Sequence, residues 1–189
     1  AVYTPTTYAF EIGAEGWATL YTDRALDFSS TGLTAYTATT DGTTVTLTEV
    51  TEVAAGTGVV LKGDAKTYEI PVIESSDTEK GQLKGSATAA LTFDAEAAND
   101  YYMLVLNSSS KAQFKKLSGG TIAAGKAYLA IAKSTEEARV MNVVFAGTTA
   151  IKAIETVAAD NNVYNLAGQR VAAPQKGLYI VNGKKVIVK

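Results

Sequence analysis

The chain has no cysteine and no histidine among its 189 residues. Without cysteine, disulfides and thiolate metal sites are excluded. Without histidine, the commonest general base near neutral pH and the commonest zinc ligand are both missing, and no Ser-His-Asp triad can be assembled. Proline is scarce, at three residues. No apolar run approaches the roughly 20 residues of a transmembrane helix. The opening stretch AVYTPTTYAF has neither the charged start nor the apolar core of a signal peptide, so the chain reads as a mature or excised form whose leader, if it is exported, has been removed. Basic residues are not interleaved with aromatic ones in a recognition pattern, which argues against nucleic acid as a partner.

What is present points to strands. Hydrophobic residues make up 47% of the chain, glycine contributes sixteen residues, and Thr, Ala and Val are abundant. That composition fits short strands and tight turns. The expected architecture is all-β: an antiparallel β-sandwich or barrel-like domain over residues 1–147, a linker over 148–162 and a small C-terminal β-hairpin appendage over 163–189. Residues 1–110 carry five basic and fifteen acidic side chains, net −10, whereas 111–189 carry twelve basic and four acidic, net +8. Past Val163 every charged side chain is basic. Two readings stand: electrostatic docking of the tail on an acidic surface, or edge-strand lysines that discourage aggregation.

Alternation predicts strands at Tyr8–Ile12 and Trp17–Thr22, the second with Trp17, Thr19 and Tyr21 on one face and Ala18, Leu20 and Thr22 on the other. Residues 23–32 read as a surface excursion from which Leu26 and Phe28 return to the core. Asp41-Gly42 suggests a two-residue hairpin turn that sets Ala38 opposite Val45 and Tyr36 opposite Leu47, with one face buried and a threonine face wet. Thr67–Ile70 and Val72–Ile73 are strand-like around Pro71, residues 75–86 read as loop, and 91–93 as a short strand. DAEAAND, 94–100, is the expected turn of helix. Tyr101–Leu106 and Ala112–Leu117 form a hairpin about 107–110, and Arg139–Phe145 is another strand. Ser134–Glu137 combines a capping pattern with a neighbouring bias to extension.

An internal echo links Val53-Ala54-Ala55-Gly56 to Ile122-Ala123-Ala124-Gly125, each followed by a strand. A duplicated half and convergent turn chemistry explain it equally well.

At the end of the chain, Asn182-Gly183 sits between two apolar runs, and a two-residue type I′ turn there pairs Val181 with Lys184, Ile180 with Lys185, Tyr179 with Val186, Leu178 with Ile187 and Gly177 with Val188. Upstream, Gly168 suits a second tight turn between Val163–Leu166 and Gln169–Val171, and Pro174 separates the two ribbons. Four strands this short are marginal alone, so the tail is expected to dock on the preceding residues or on a partner.

The run Y-N-L-A-G-Q-R-V, then P-x-K-G-L-Y-I-V-N-G-K and a closing K-V-I-V-K, resembles the C-terminal signature of secreted and surface proteins of the Bacteroidetes. It is similar to the type A sorting domain of the Por (type IX) secretion system, although domains of that type are usually longer. The matching positions are Tyr164, Leu166, Gly168, Val171, Gly177, Tyr179, Ile180, Gly183, Lys185 and Lys189. The stretches GWATLYTDRALDFSSTGLTAYTA, AAGTGVVLKG and YEIPVIES also resemble a β-rich module found near the C-termini of large Bacteroidetes extracellular proteins. The resemblance implies an extracellular or outer-surface location, an accessory or adaptor role, and as partners secretion or cell-envelope machinery or other domains of a longer polypeptide.

Catalytic motifs are few. Gly120–Ala127 follows Walker A spacing until its last position, where Ala127 supplies no hydroxyl for magnesium, and the residues after it read as a strand where a phosphate loop needs a helix. Nothing in the sequence selects a carboxylate pair for glycosidase work, and Glu49 with Glu52, like Glu136 with Glu137, reads as solvated surface. The remaining opening is aromatic. Extracellular β modules bind sugars by stacking, and Trp17, Tyr101 and Tyr102 are the candidate rings; the two tyrosines, adjacent in a strand, must face opposite ways. The expectation is a non-enzymatic accessory or adaptor module without cofactor, metal or membrane span, with a glycan-binding or adhesive module as the alternative.

Overall fold

The computed structural model describes residues 6–94, 96–133, 139–147, 163–165, 170–171, 176–181 and 184–188. They fall into two compact units, Ala1–Thr148 and Thr149–Lys189. The fold is all-β: among the described residues there is no helix, and the largest sheet is mixed and nearly closed as a barrel. The expected linker, 148–162, and the pattern at Ser134–Glu137 lie outside the described residues.

The first unit opens with β1 (Thr7–Ile12), β2 (Trp17–Thr22), β3 (Ala25–Asp27), β4 (Thr34–Thr40), β5 (Thr44–Val50), β6 (Glu52–Val53), β7 (Thr57–Lys62) and β8 (Lys66–Ile73). It continues with β9 (Lys84–Gly85), β10 (Leu91–Phe93), β11 (Asn99–Leu106), β12 (Ala112–Lys116), β13 (Gly120–Ile122), β14 (Ala127–Ala132) and β15 (Val140–Phe145). Nine of these form one sheet in the order β2-β7-β4-β5-β15-β12-β11-β14-β9. All its ladders are antiparallel except β5 with β15, a parallel pair in which Val45 stands beside Val143 and Leu47 beside Phe145. The antiparallel expectation therefore needs this one correction.

Alternation builds two cores from one sheet. Inward residues of the barrel, among them Tyr36, Ala38, Leu47, Val60, Tyr102, Phe114, Leu129 and Met141, form one buried cluster. Outward residues Leu20, Ala35, Val59 and Leu61 form the other, against Ile12, Leu26, Val53, Tyr68 and Ile70 of a second sheet ordered β1-β8-β3-β6. In β2 the split is strict: Trp17 and Tyr21 pack on the inner cluster, Ala18 and Leu20 on the outer one. Leu26 and Phe28 are buried as expected, but residues 25–27 form a strand within the supposed excursion.

The Asp41 hairpin corrects the register. Its pairs are Thr40 with Val45, Ala38 with Leu47 and Tyr36 with Glu49. The loop is longer than two residues because the Asp41 carboxylate accepts hydrogen bonds from the backbone N–H of Thr43 (2.8 Å) and Thr44 (2.7 Å) and from the Thr43 hydroxyl (2.8 Å). Such Asx bonding competes with a tight type I′ turn. The slip is of two residues, so each side chain keeps its face. The threonine face is only partly wet: Thr37 is buried, whereas Thr39 and Thr48 are exposed. The expected helical turn at 94–100 is a hydrogen-bonded turn in which Ala97 N–H donates to Asp94 O, and Asn99 and Asp100 already belong to β11. The loop expected over 75–86 contains β9 and the buried Leu83.

The internal echo is the trace of a structural repeat. Strands β9-β14-β11-β12 repeat the neighbour order of β2-β7-β4-β5, and the β10-β13 ribbon repeats β3-β6. Registers coincide: Tyr36 with Val60 corresponds to Tyr102 with Leu129, Ala38 with Leu47 to Leu104 with Phe114, and Leu26 with Val53 to Leu91 with Ile122. Gly56 (φ 72°) and Gly125 (φ 78°) occupy the same left-handed turn position. Both need glycine's freedom there.

The repeats meet edge to edge to close the barrel. Tyr21 N–H donates to Gly125 O at 2.8 Å and Ala127 N–H to Thr19 Oγ1 at 3.3 Å. A Cβ on Gly58 would lie 3.1 Å from Ala127 Cβ and 2.7 Å from Leu83 Cβ. Since Gly58 corresponds to Ala127 and Thr19 to Leu83, these contacts pair equivalent positions about a pseudo-two-fold axis.

The second unit contains β16 (Val163–Tyr164), β17 (Arg170–Val171), β18 (Gly177–Val181) and β19 (Lys184–Val188) in the order β17-β16-β18-β19. The β18-β19 register is the expected one at every pair from Gly177 with Val188 to Val181 with Lys184. The two ribbons are not separate, because β16 also pairs with β18 through Val163 with Val181 and Tyr164 with Ile180.

Candidate functional site

One end of the barrel opens into a cleft of about 750 Å³. Strand starts and ends of the first unit furnish its walls: Trp17 at the head of β2, Thr34 and Tyr36 at the head of β4, Lys62 closing β7, Ser110–Ala112 leading into β12, and Phe145 closing β15. Antiparallel pairing of Thr34 with Lys62 brings those strand ends together.

Three rings form the floor. Tyr36 lies 6.3 Å from Trp17 in a stacked arrangement and 5.4 Å from Phe145 edge to face, and Trp17 lies 6.3 Å from Phe145. Such spacings fall in the favourable range for aromatic pairs. Lys62 Nζ stands 5.2 Å from the Trp17 ring centre, within cation–π reach. Burial raises the Tyr36 phenol above its usual range, and the Glu49 carboxylate adds to the effect, so the hydroxyl stays protonated and can donate. Glu15, Asp64 and Lys111 add charge of both signs to the lining. The loop carrying Ser110 and Lys111 is pinned by Asn107 Oδ1, which accepts from Ser109 N–H (2.9 Å) and Lys111 N–H (3.0 Å).

The other barrel end is built from equivalent strands, but no ring lines its hollow. A hollow of about 510 Å³ is lined there by Thr40, Gly42, Gly81, Gln82 and Ile131. In the repeat, Ile131 stands where the first half has Lys62, but it has no counterpart of the Trp17 pairing, because the β9 ladder ends at Lys84. Gln82 crosses to β4, its N–H donating to Ala38 O (2.7 Å) and its Oε1 accepting from Thr40 N–H (2.6 Å). A Cβ on Gly81 would fall 2.5 Å from Ala38 O, so this crossing requires glycine.

The structure separates the three rings singled out in the sequence. Trp17 is half-buried at the cleft, Tyr102 is buried inside the barrel, and Tyr101 faces the other way, half-buried on the outer surface beside Phe93 (4.4 Å) and Tyr128 (5.7 Å). Trp17 and Tyr101 therefore do not share a site, and Tyr102 is a core residue. Tyr36, Phe145 and Lys62 were missed; their signal was an aromatic or long side chain at an inward position near a strand end.

Near Tyr101, Asp100 is almost fully buried and its carboxylate meets Lys116 Nζ at 2.8 Å. Gly120–Ile122 is a strand and a second strand follows Gly125, so the Walker-like spacing has no helix to receive a phosphate. Among the described residues no three carboxylates gather as a metal site, and no helix is long and apolar enough to cross a membrane.

In the tail motif, Tyr164 lies in β16, Val171 in β17, Gly177, Tyr179 and Ile180 in β18, and Lys185 in β19. Leu166, Gly168, Pro174, Asn182, Gly183 and Lys189 lie outside the described residues. Comparison with protein-family models, with curated proteins and with solved structures finds no match for the chain.

Proposed function

We propose that the chain is a non-enzymatic accessory or adaptor module of the outer cell surface, whose C-terminal strands serve export, anchoring or attachment. The observation that supports this reading is the β18-β19 ribbon, which pairs in the register expected from the tail sequence. It belongs to a sheet and compact unit distinct from the barrel. An address read by other machinery needs such a separable element. Deleting Val163–Lys189 from the natural precursor should leave the protein in the periplasm, followed by surface proteolysis and fractionation. Undiminished surface delivery of that deletion would overturn the reading.

The cleft favours a second, compatible reading, a glycan-binding module. Trp17, Tyr36 and Phe145 offer apolar ring surface, while Thr34, Lys62 and Asp64 surround it with donors and acceptors. That mixture suits a pyranose, which has an apolar face and a polar rim. On a glycan array the protein should retain a defined set of saccharides, and Trp17→Ala should weaken that binding about tenfold, roughly 1.4 kcal/mol. An empty array, or a Trp17→Ala variant that binds as well as the parent, removes the reading.

A further inference from the structure

The two repeats differ in what covers them. In the first, β8 lies along the free edge of β3, pairing Ala25 with Ile73 and Leu26 with Val72, and sets Tyr68 and Ile70 over the outer face of the barrel. In the second, the strand corresponding to β8 in chain order is β15, which runs into the seam between β5 and β12. The β10-β13 ribbon is thus a two-stranded sheet among the described residues, although its register reproduces that of β3-β6.

The surface beneath this ribbon differs accordingly. Phe28, Ala35 and Val59 of the first repeat are buried. Their counterparts Phe93, Tyr101 and Tyr128 are half-buried rings, with Tyr101 in contact with each of the other two. Hollows of about 300 Å³ and 190 Å³ flank the ribbon, one reached by Phe93 and Tyr101 and the other by Leu91 and Tyr128. A strand edge carries unspent backbone donors and acceptors and is a template for a further strand. Here the same protein displays the complement, because β8 is the strand that the ribbon of corresponding register accepts.

We infer that the β10 edge is an acceptor for an extended segment of another protein, which pairs antiparallel to Leu91–Phe93 and lays alternate apolar side chains over Tyr101 and Tyr128. This is β-augmentation, in which main-chain bonds give affinity and every second side chain gives selectivity. The segment carries smaller residues than β8 does. Tyr101 and Tyr128 already fill the volume that Ala35 and Val59 leave to Tyr68 and Ile70, and close packing leaves no room for a second set of large groups. Valine, threonine and alanine at alternate positions fit.

The test uses the full chain as bait for displayed ten-residue peptides, apolar at alternate positions and random otherwise. Recovered peptides, made synthetically, should bind saturably with small apolar residues at every second position and should protect the amides of residues 91–93 from hydrogen exchange. Tyr101→Thr and Tyr101→Lys, each retaining the parent's far-ultraviolet dichroism, should weaken binding at least about tenfold. The inference fails if no peptide rises above background, if binding survives both variants, or if protection falls elsewhere. It also fails if the protein pairs with a second copy of itself through this edge, seen as concentration-dependent dimerisation abolished by the same variants.

Discussion

Thr57 illustrates how a buried side chain can carry unused chemistry. It is 2% exposed, and its hydroxyl meets no hydrogen-bond partner among the described residues. Leaving such a group unsatisfied costs about 1–3 kcal/mol, whereas an apolar group of the same shape costs little. Thr57→Val should therefore raise stability by about 1 kcal/mol, read as a higher urea midpoint at unchanged slope. A loss of similar size would show that the hydroxyl has a partner after all. At this scale the sequence was informative about direction but not depth. Adjacent Tyr101 and Tyr102 had to face opposite ways, yet only the barrel's closure decides that Tyr102 is the buried one. Trp17 reads in the sequence as a core residue of its strand, and its place at a cleft emerges only when Phe145, far along the chain, is seen beside it.

Among elements, the β4-β5 hairpin is the most instructive. Hydrogen bonds from the Thr43 and Thr44 backbone and the Thr43 hydroxyl hold the Asp41 carboxyl below its ordinary pKa of 3.8. A folded-state value depressed in this way adds stability that is fully present above the ordinary value and is lost as pH falls through the lower one. Asp41→Ala should therefore lower the urea midpoint near neutral pH and lose that difference as the medium is acidified below the ordinary value. An equal difference at both ends of the titration would show that the loop's shape, not the carboxylate's charge, matters. The same bonds explain why a turn signal that located the hairpin misjudged its register. Strands were legible where side chains alternate, as in β1 and β2, and where apolar runs flank a turn signal, as in β18. Two-residue strands such as β6 and β9 have no pattern of their own and exist because a neighbour offers its edge.

For the molecule as a whole, all-β character was legible from composition and alternation, but barrel closure was not. The seam joins β5 to β15, strands distant in sequence, and no local pattern marks such a partner. The structural repeat showed only as Ala-Ala-Gly because unequal loops shift the spacing of corresponding residues from 64 between Tyr21 and Gly85 to 69 between Gly56 and Gly125. The cleft depends on both, since its rings come from β2, β4 and β15. That the last strand of the barrel sits mid-sheet also governs timing. Non-local pairings form late because the intervening chain must first be ordered. A polypeptide emerging amino end first would hold Val45 and Leu47 in an open trough until residue 145 had cleared the ribosome or the translocation pore. The keystone is thus delivered after the arch it locks, and until then the half-built arch is where a chaperone would be needed.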